Sequence, residues 1–154
     1  MFYIAKDIHN YLLKNKKTIS TAESCTGGLL CAILTELPGS SKYFILGIVS
    51  YSNAAKKNTL KIPAGVMRKN GAVSREVASL MAKNVRRLAK TDFAIGITGI
   101  AGPTGSLSQK PVGTVFIAIS SKNKSICKKF IFKGNRNSIR KQAVLKAMHL
   151  LKSA

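Results

Sequence analysis

Apolar residues recur at helical spacing in several segments of the chain. One face of a predicted helix over 2–15 carries Ile4, Ile8, Tyr11 and Leu12. A longer apolar stripe predicts a helix over 74–90, with Ser74 as its N-terminal cap. Further helices are predicted over 26–37, 53–60 and 136–152, and the first of these is stopped by Pro38-Gly39.

Short apolar runs between these helices predict five strands, over 18–22, 43–51, 92–98, 113–120 and 125–132. The run over 43–51 is rich in Ile, Val and Phe, which is typical of a buried strand. The last two strands are predicted to form a hairpin that turns at Lys122-Asn123.

Strands that are apolar on both faces and alternate with helices indicate a sheet covered on each side. We therefore predict an α/β fold: a three-layer α/β/α sandwich with a mixed, mainly parallel sheet. The length of 154 residues and the lack of a linker or repeat predict a single domain over 1–154.

Composition narrows the class of protein further. The longest apolar runs are far shorter than a membrane span, and no basic-then-apolar leader opens the chain, so we expect a soluble, cytoplasmic protein with no membrane association. The cysteines Cys25, Cys31 and Cys127 are odd in number and lack metal-type spacing, which argues against a disulfide framework or a zinc site.

The charge is the unusual feature of the composition. There are 26 Lys and Arg residues against five acids, a net charge of +21 that would attract phosphates or nucleic acid. The lysines are scattered over every segment, and the few aromatic residues do not alternate with them. A generally lysine-rich surface is therefore favoured, and nucleic acid stays open as a partner.

Three polar or glycine-rich stretches follow predicted strands, where functional residues of such folds collect. Residues 21–28 end a strand and begin a helix. Their glycines and the free N–H groups of the first helical turn suit the binding of an oxyanion or a phosphate; the alternative is a capped helix start with no ligand. Residues 51–56 carry Lys56, which is a general base if it is desolvated near a serine and a surface residue otherwise. The glycines in residues 98–105 either let the backbone approach a substrate closely or only form a turn.

The remaining catalytic residue types are poorly placed. His9 and His149 lie in the two terminal helices, so a Ser-His-Asp triad is disfavoured. Glu23 is the one acid beside a candidate stretch, which supplies neither paired carboxylates nor an acidic metal cluster. A hydroxyl nucleophile with a lysine base is the chemistry that these residues most easily build.

Taken together, these stretches resemble the CinA C-terminal domain and its stand-alone relatives, the PncC-type nicotinamide-nucleotide amidases. The resemblance covers about residues 18–150 and rests on six blocks in order: Thr21 to Gly28, Pro38 to Ser41, Tyr51 to Asn53 with Lys56, Gly71 to Ser74, Thr98 to Pro103, and Lys110 to Val115.

The resemblance implies hydrolysis of nicotinamide mononucleotide to nicotinic acid mononucleotide and ammonia. It implies that Ser24 is the nucleophile, Lys56 is the base and Thr98 is a polar partner in the site. It also implies that Tyr51 lines the nicotinamide pocket and that Arg136 contacts the phosphate. It also implies a homodimer, no metal and no cofactor. The other substrate-binding residues that follow from it are Thr26, Gly27, Gly28, Asn53, Gly99, Ala101 and Gly102. The alternatives are an amidase for another small amide, and a non-enzymatic, competence-associated nucleic-acid-binding protein.

Overall fold

A computed structural model describes residues 1–153, and Ala154, the last residue of the predicted domain, lies outside the described residues. Its centre is a five-stranded sheet in the order β2-β1-β3-β4-β5. The strands are β1 (Ile19–Glu23), β2 (Phe44–Val49), β3 (Phe93–Gly99), β4 (Thr114–Ser120) and β5 (Ser125–Ile131).

The sheet is mixed, as predicted. Strand β1 is parallel to both β2 and β3, while β4 is antiparallel to its neighbours β3 and β5. Four strands therefore point in one direction and β4 points in the other, because a tight hairpin can join only antiparallel strands.

Helices cover both faces of the sheet, which confirms the three-layer α/β/α sandwich. They are α1 (Phe2–Lys14), α2 (Leu29–Leu34), α3 (Asn53–Asn58), α4 (Ala64–Asn70), α5 (Arg75–Ala89) and α6 (Arg136–Lys152), with a short 3₁₀ turn at Ser40–Lys42. Helices α1, α2 and α6 share one apolar core with the sheet, whereas α5 and residues flanking α3 and α4 share another.

Strand β3 separates these two cores by alternating its side chains. Ile95 and Ile97 lie in the core with α1 and α6, while Gly96 faces α5. A Cβ atom on Gly96 would lie 2.4 Å from the carbonyl oxygen of Ala78 and 2.6 Å from the nitrogen of Ala82. The backbone of α5 therefore lies directly on the central strand.

Two helix predictions need correction. The helix predicted over 26–37 begins only at Leu29, because Gly27 and Gly28 have φ angles of 60° and 91° and so interrupt right-handed helical backbone. Helix α4 was missed, although Pro63 before it and Gly71 after it are typical of helix boundaries.

The prediction that residues 43–51 form a buried strand is also wrong in part. Strand β2 lies at the sheet edge and pairs with β1, and its residues alternate between half-buried and exposed. Leu46 and Ile48 pack in the α5-side core, whereas Ile45 and Val49 are 49% and 47% exposed. An edge strand needs apolar residues on its covered face only. Within residues 1–153, no helix has both the length and the apolar character that crossing a bilayer requires.

Candidate active site

The three predicted stretches converge at one edge of the sheet. Strands β1, β2 and β3 are parallel, so their carboxyl ends meet there and bring together the residues that follow each strand. Between them lies a cavity of about 260 Å³, called here the serine cavity, which is lined by Ser24, Cys25, Tyr51, Asn53, Lys56, Ala72, Val73, Thr98, Gly99, Ile100, Ala101, Gly102, Thr104, Gly105 and Arg136.

Ser24 and Lys56 form a direct contact at the base of the serine cavity. The Nζ atom of Lys56 lies 3.0 Å from the Oγ atom of Ser24 and 2.7 Å from the carbonyl oxygen of Ser50. The side-chain oxygen of Ser52 accepts a hydrogen bond from the N–H of Ala55, which starts α3 and places Lys56 one turn into it. Lys56 is 2% exposed and Ser24 is 8% exposed, so the pair is shielded from water.

The burial of Lys56 makes its charged form less favourable than it would be in water. Burial lowers the pKa of the Lys56 ammonium below its ordinary value. The ion pairs found among residues 1–153 are Lys17–Asp92 and Lys152–Asp7, so no carboxylate holds the charge of Lys56 in place. A neutral amine beside a hydroxyl can accept its proton, which is the property required of a general base.

Cys25 is the other potential nucleophile in the serine cavity. It is 6% exposed, and burial raises the pKa of its thiol to about 12. The thiolate is the reactive form of cysteine, so Cys25 stays protonated and inert at ordinary pH. Ser24 is therefore the better placed nucleophile.

A buried carboxylate shapes the turn that carries Ser24. Glu23 is fully buried, and its side chain accepts hydrogen bonds from the backbone N–H groups of Gly28 (3.1 Å), Leu30 (3.2 Å) and Cys31 (2.8 Å). The N–H groups expected to receive an oxyanion or a phosphate are thus already used by the chain's own anion. The sequence showed the acid beside the site but gave no sign of this role.

Thr26, Gly27 and Gly28, which were predicted to bind substrate, do not line the serine cavity. Thr26 is fully buried, and a Cβ atom on Gly28 would contact Val49 on the neighbouring strand. These residues build the turn after Ser24, and the glycines supply its positive φ angles. The structure therefore gives them a role in shaping the turn beside the serine cavity, and their assignment as substrate-binding residues stays a prediction.

Two arginines on α6 hold the loops around the serine cavity. Arg136 donates from Nη1 to the carbonyl oxygen of Gly102 (2.9 Å) and from Nη2 to the hydroxyl of Tyr51 (2.5 Å). Arg140, one turn later, donates from Nε and Nη2 to the carbonyl oxygen of Thr26 (3.2 and 2.7 Å). Sequence reasoning missed Arg140, because nothing local distinguishes it from the other basic residues.

The remaining predicted residues do line the serine cavity, and their roles stay predictions. The Thr98 hydroxyl donates to the carbonyl oxygen of Ala72 (2.9 Å), so it links β3 to the loop before α5. Asn53 stands at the start of α3, while Gly99, Ala101 and Gly102 supply backbone along one wall.

The other titratable residues lie elsewhere. His9 in α1 is 3.2 Å from the hydroxyl of Tyr43, and His149 is in the last turn of α6. Among the described residues, no three His, Cys, Asp or Glu side chains gather into a group that could hold a metal ion.

The fold and the serine cavity define an α/β protein with a buried serine–lysine pair at the carboxyl edge of a mixed sheet. The chain belongs to the CinA C-terminal domain family, whose model matches residues 2–154. Solved structures of this superfamily are very similar to it. A competence/damage inducible protein from Agrobacterium tumefaciens has a TM-score of 0.96 at 36% identity, covering 99% of this chain and 93% of that one. A competence damage-inducible protein A from Klebsiella pneumoniae has a TM-score of 0.95 at 30% identity, covering 99% and 94%.

Longer relatives contain the same domain. A competence-damage inducible protein of Thermoanaerobacter pseudethanolicus is 47% identical over 141 residues, which is 92% of this chain and 34% of that protein. A Clostridium tetani protein of the same name is 48% identical over 145 residues, or 94% and 36%. The chain thus spans about a third of the length of these curated relatives. Their names refer to competence and damage induction, and they name no substrate.

Proposed function

We propose that this domain hydrolyses the carboxamide of nicotinamide mononucleotide to nicotinic acid mononucleotide and ammonia. The single observation that carries the proposal is the buried contact between Lys56 Nζ and Ser24 Oγ. The substrate is suggested by the resemblance to the nicotinamide-nucleotide amidases. An amidase for another small amide is the alternative within the same chemistry.

The reaction proposed for this pair is an acyl transfer in two halves. Neutral Lys56 takes the proton of Ser24 as Oγ attacks the amide carbon, and the carbonyl oxygen becomes an oxyanion. Lys56 then gives that proton to the departing nitrogen, which leaves as ammonia while an ester remains on Ser24. Water, deprotonated by Lys56, attacks the ester and releases the carboxylic acid, after which Ser24 recovers its proton.

The oxyanion needs donors other than the first turn of α2, because Glu23 already binds those N–H groups. The backbone of Cys25 and of the loop at Gly99, Ala101 and Gly102 lines the serine cavity and is our candidate for this role. Arg136 and Tyr51 lie together at its mouth, so a phosphate placed against Arg136 would bring the nicotinamide ring past Tyr51.

The homodimer also remains a proposal. Edge strand β2 exposes Ile45 and Val49, and an apolar sheet edge of this kind is a surface that a second copy can cover. Light scattering of the purified protein, with Ile45→Lys as the disrupting variant, tests it. A mass of one chain for the unaltered protein rejects the dimer.

The direct test of the function is to incubate purified protein with nicotinamide mononucleotide and to measure ammonia together with nicotinic acid mononucleotide. Ser24→Ala serves as the blank. If no ammonia forms but a fluorophosphonate still labels Ser24, the serine is activated and the substrate assignment is wrong. If neither occurs, the serine–lysine mechanism is wrong as well.

A further inference from the structure

A larger cavity, of about 430 Å³, lies between α5, from Ser79 to Arg87, and the turn of the β4–β5 hairpin. We call it the basic cavity, because five of the residues that line it are cations: Lys83, Arg86, Arg87, Lys122 and Lys124. Helix α5 supplies three of them and the hairpin turn supplies two, so positive charge faces the cavity from both sides.

The basic cavity lies near the amino-terminal end of β3, whereas Ser24 lies near its carboxyl-terminal end. Ser120, which lines it, pairs with Ala94 at the beginning of β3, whereas Thr98 near the end of β3 lines the serine cavity. At a rise of about 3.3 Å per residue, these two positions on β3 are on the order of 13 Å apart. A ligand in one cavity would therefore leave the other cavity free.

The cations of the basic cavity have no acidic partners. None of its lining residues is Asp or Glu, and the ion pairs within residues 1–153 involve other lysines. Arg86 donates from Nη1 to the carbonyl oxygen of Thr91 at 3.4 Å, while its buried Nε has no hydrogen-bond partner in the described chain. The negative end of the α5 dipole accounts for Arg86 and Arg87 in the last turn, but it does not account for Lys122 and Lys124 on the hairpin.

The chemistry of the walls points to phosphate groups. Arginine and lysine are the usual phosphate ligands, and five of them line the basic cavity. No aromatic side chain lines the basic cavity, so it offers no platform on which a base could stack. The lining residues therefore suit contacts to successive phosphates and offer no base-specific contacts.

We propose that the basic cavity binds the phosphodiester backbone of a nucleic acid without regard to base sequence. The net charge of +21 draws such a polyanion to the protein, and the five cations fix where it is held. This site is independent of the reaction proposed for Ser24.

The test measures the affinity of the unaltered protein for a fluorescent mixed-sequence DNA duplex across a range of potassium chloride concentrations. Each phosphate neutralised contributes about 0.9 to the slope of log affinity against log salt, so five contacts predict a slope of roughly −4.5. Lys122→Gln combined with Lys124→Gln should reduce the magnitude of this slope by about 2 and weaken binding equally for unrelated sequences.

The matched control is Lys6→Gln combined with Lys14→Gln. These exposed lysines lie on α1, on the other face of the sheet, so the control removes the same charge from outside the basic cavity. It should leave the slope and the affinity nearly unchanged.

Three outcomes overturn the proposal. Equal losses in the two double variants would mean that the whole lysine-rich surface attracts DNA. Displacement of the duplex by inorganic phosphate at equal phosphate concentration would mean that the cavity holds a small anion. Binding of polyglutamate as tightly as DNA at the same salt concentration would point to an acidic protein partner.

Discussion

The Nζ atom of Lys56 lies 3.0 Å from the Oγ atom of Ser24, although 32 positions separate the two residues in the chain. Ser24 follows β1 and Lys56 belongs to α3, so two different strand ends supply the two halves of the pair. If they act as one unit, removing either half removes the function of both.

The first prediction concerns this unit. Ser24→Ala and Lys56→Ala should each lower kcat by about 10³-fold or more, and the double variant should be little worse than either, because residues that act together are not additive. Steady-state ammonia release measures all three variants. Ser41→Ala and Lys57→Ala, at exposed positions, are the matched controls and should retain activity. Losses that multiply in the double variant contradict the pair.

The second prediction is a pH dependence set by Lys56. The proposed mechanism requires the neutral form of Lys56, so kcat/KM should rise with pH and level off above a midpoint that burial places below the ordinary lysine pKa of about 10.4. The Cys25 thiol, with a pKa of about 12, does not titrate in this range. Lys56→Arg should be inactive at every pH, because arginine stays charged. An active arginine variant would rule out Lys56 as base.

The same group gives a readout that does not depend on catalysis. Between the lowered folded pKa of Lys56 and the ordinary value of about 10.4, the unfolded chain binds more protons than the folded one, so the free energy of unfolding rises with pH. Lys56→Met should abolish this part of the rise in urea titrations at several pH values. Lys57→Met, which alters the exposed neighbour, should preserve it.

The third prediction concerns the mouth of the serine cavity. Arg136→Ala should raise KM for nicotinamide mononucleotide by about tenfold and lower kcat less, because a phosphate contact is made in the ground and transition states alike. Nicotinamide riboside, which lacks the phosphate, provides the control substrate, and its KM should barely change. If KM rises equally for both substrates, Arg136 acts through its bonds to Gly102 and Tyr51 and does not bind the phosphate.

The fourth prediction assigns Glu23 a positioning role. Glu23→Gln loses the charge that receives three backbone N–H groups, so the free energy of unfolding should fall by about 2 kcal/mol. Since the turn after Ser24 loosens, kcat should fall at temperatures where the variant is still fully folded. Glu36→Gln removes the same charge from an exposed site and should change neither quantity. A stable and fully active Glu23→Gln would refute this role.

The fifth prediction tests the approach of α5 to the sheet. Gly96→Ala forces a methyl group against the backbone of Ala78 and Ala82, which should cost about 1–3 kcal/mol or more. Gly65→Ala is the matched control. Gly65 lies in α4, where a Cβ atom meets only Arg68 at 3.9 Å, so alanine should stabilise the protein by up to ~1 kcal/mol. Urea titration measures both variants.

Local pattern was sufficient for most of the fold. Strands β1, β3 and β4 were predicted nearly to their ends, because burial on both faces leaves a strong signal in the sequence. Edge strand β5 is largely exposed or half-buried, and it was predicted from its hairpin turn with β4. The partly exposed β2 was not foreseen, since whether a strand lies at the edge depends on which strands pair with it. Helix α4 is only seven residues long, which is too short to show a clear helical repeat of apolar positions, so it was not distinguished from a loop.

The position of the candidate site could be predicted from the sequence, but several of its contacts could not. The rule that parallel strand ends meet at one edge brought Ser24, Lys56 and Thr98 into one region, and the resemblance singled out the pair. The contacts of Glu23 and Arg140 could not be foreseen, because each depends on the geometry of backbone groups after folding. Arg140 in particular contacts a residue 114 positions away.

The backbone N–H of Ser24 donates to the carbonyl oxygen of Ile97, and Asp92, just before β3, receives hydrogen bonds from Thr18, 74 positions earlier. Ser24 is therefore held in place only after two distant stretches of chain have come together. Such long-range pairings form slowly, since the loop between them must close before any contact repays its entropy. During refolding, we therefore expect ammonia release to recover later than the helical circular dichroism signal. The delay between the two signals would measure how long β3 takes to pair with β1.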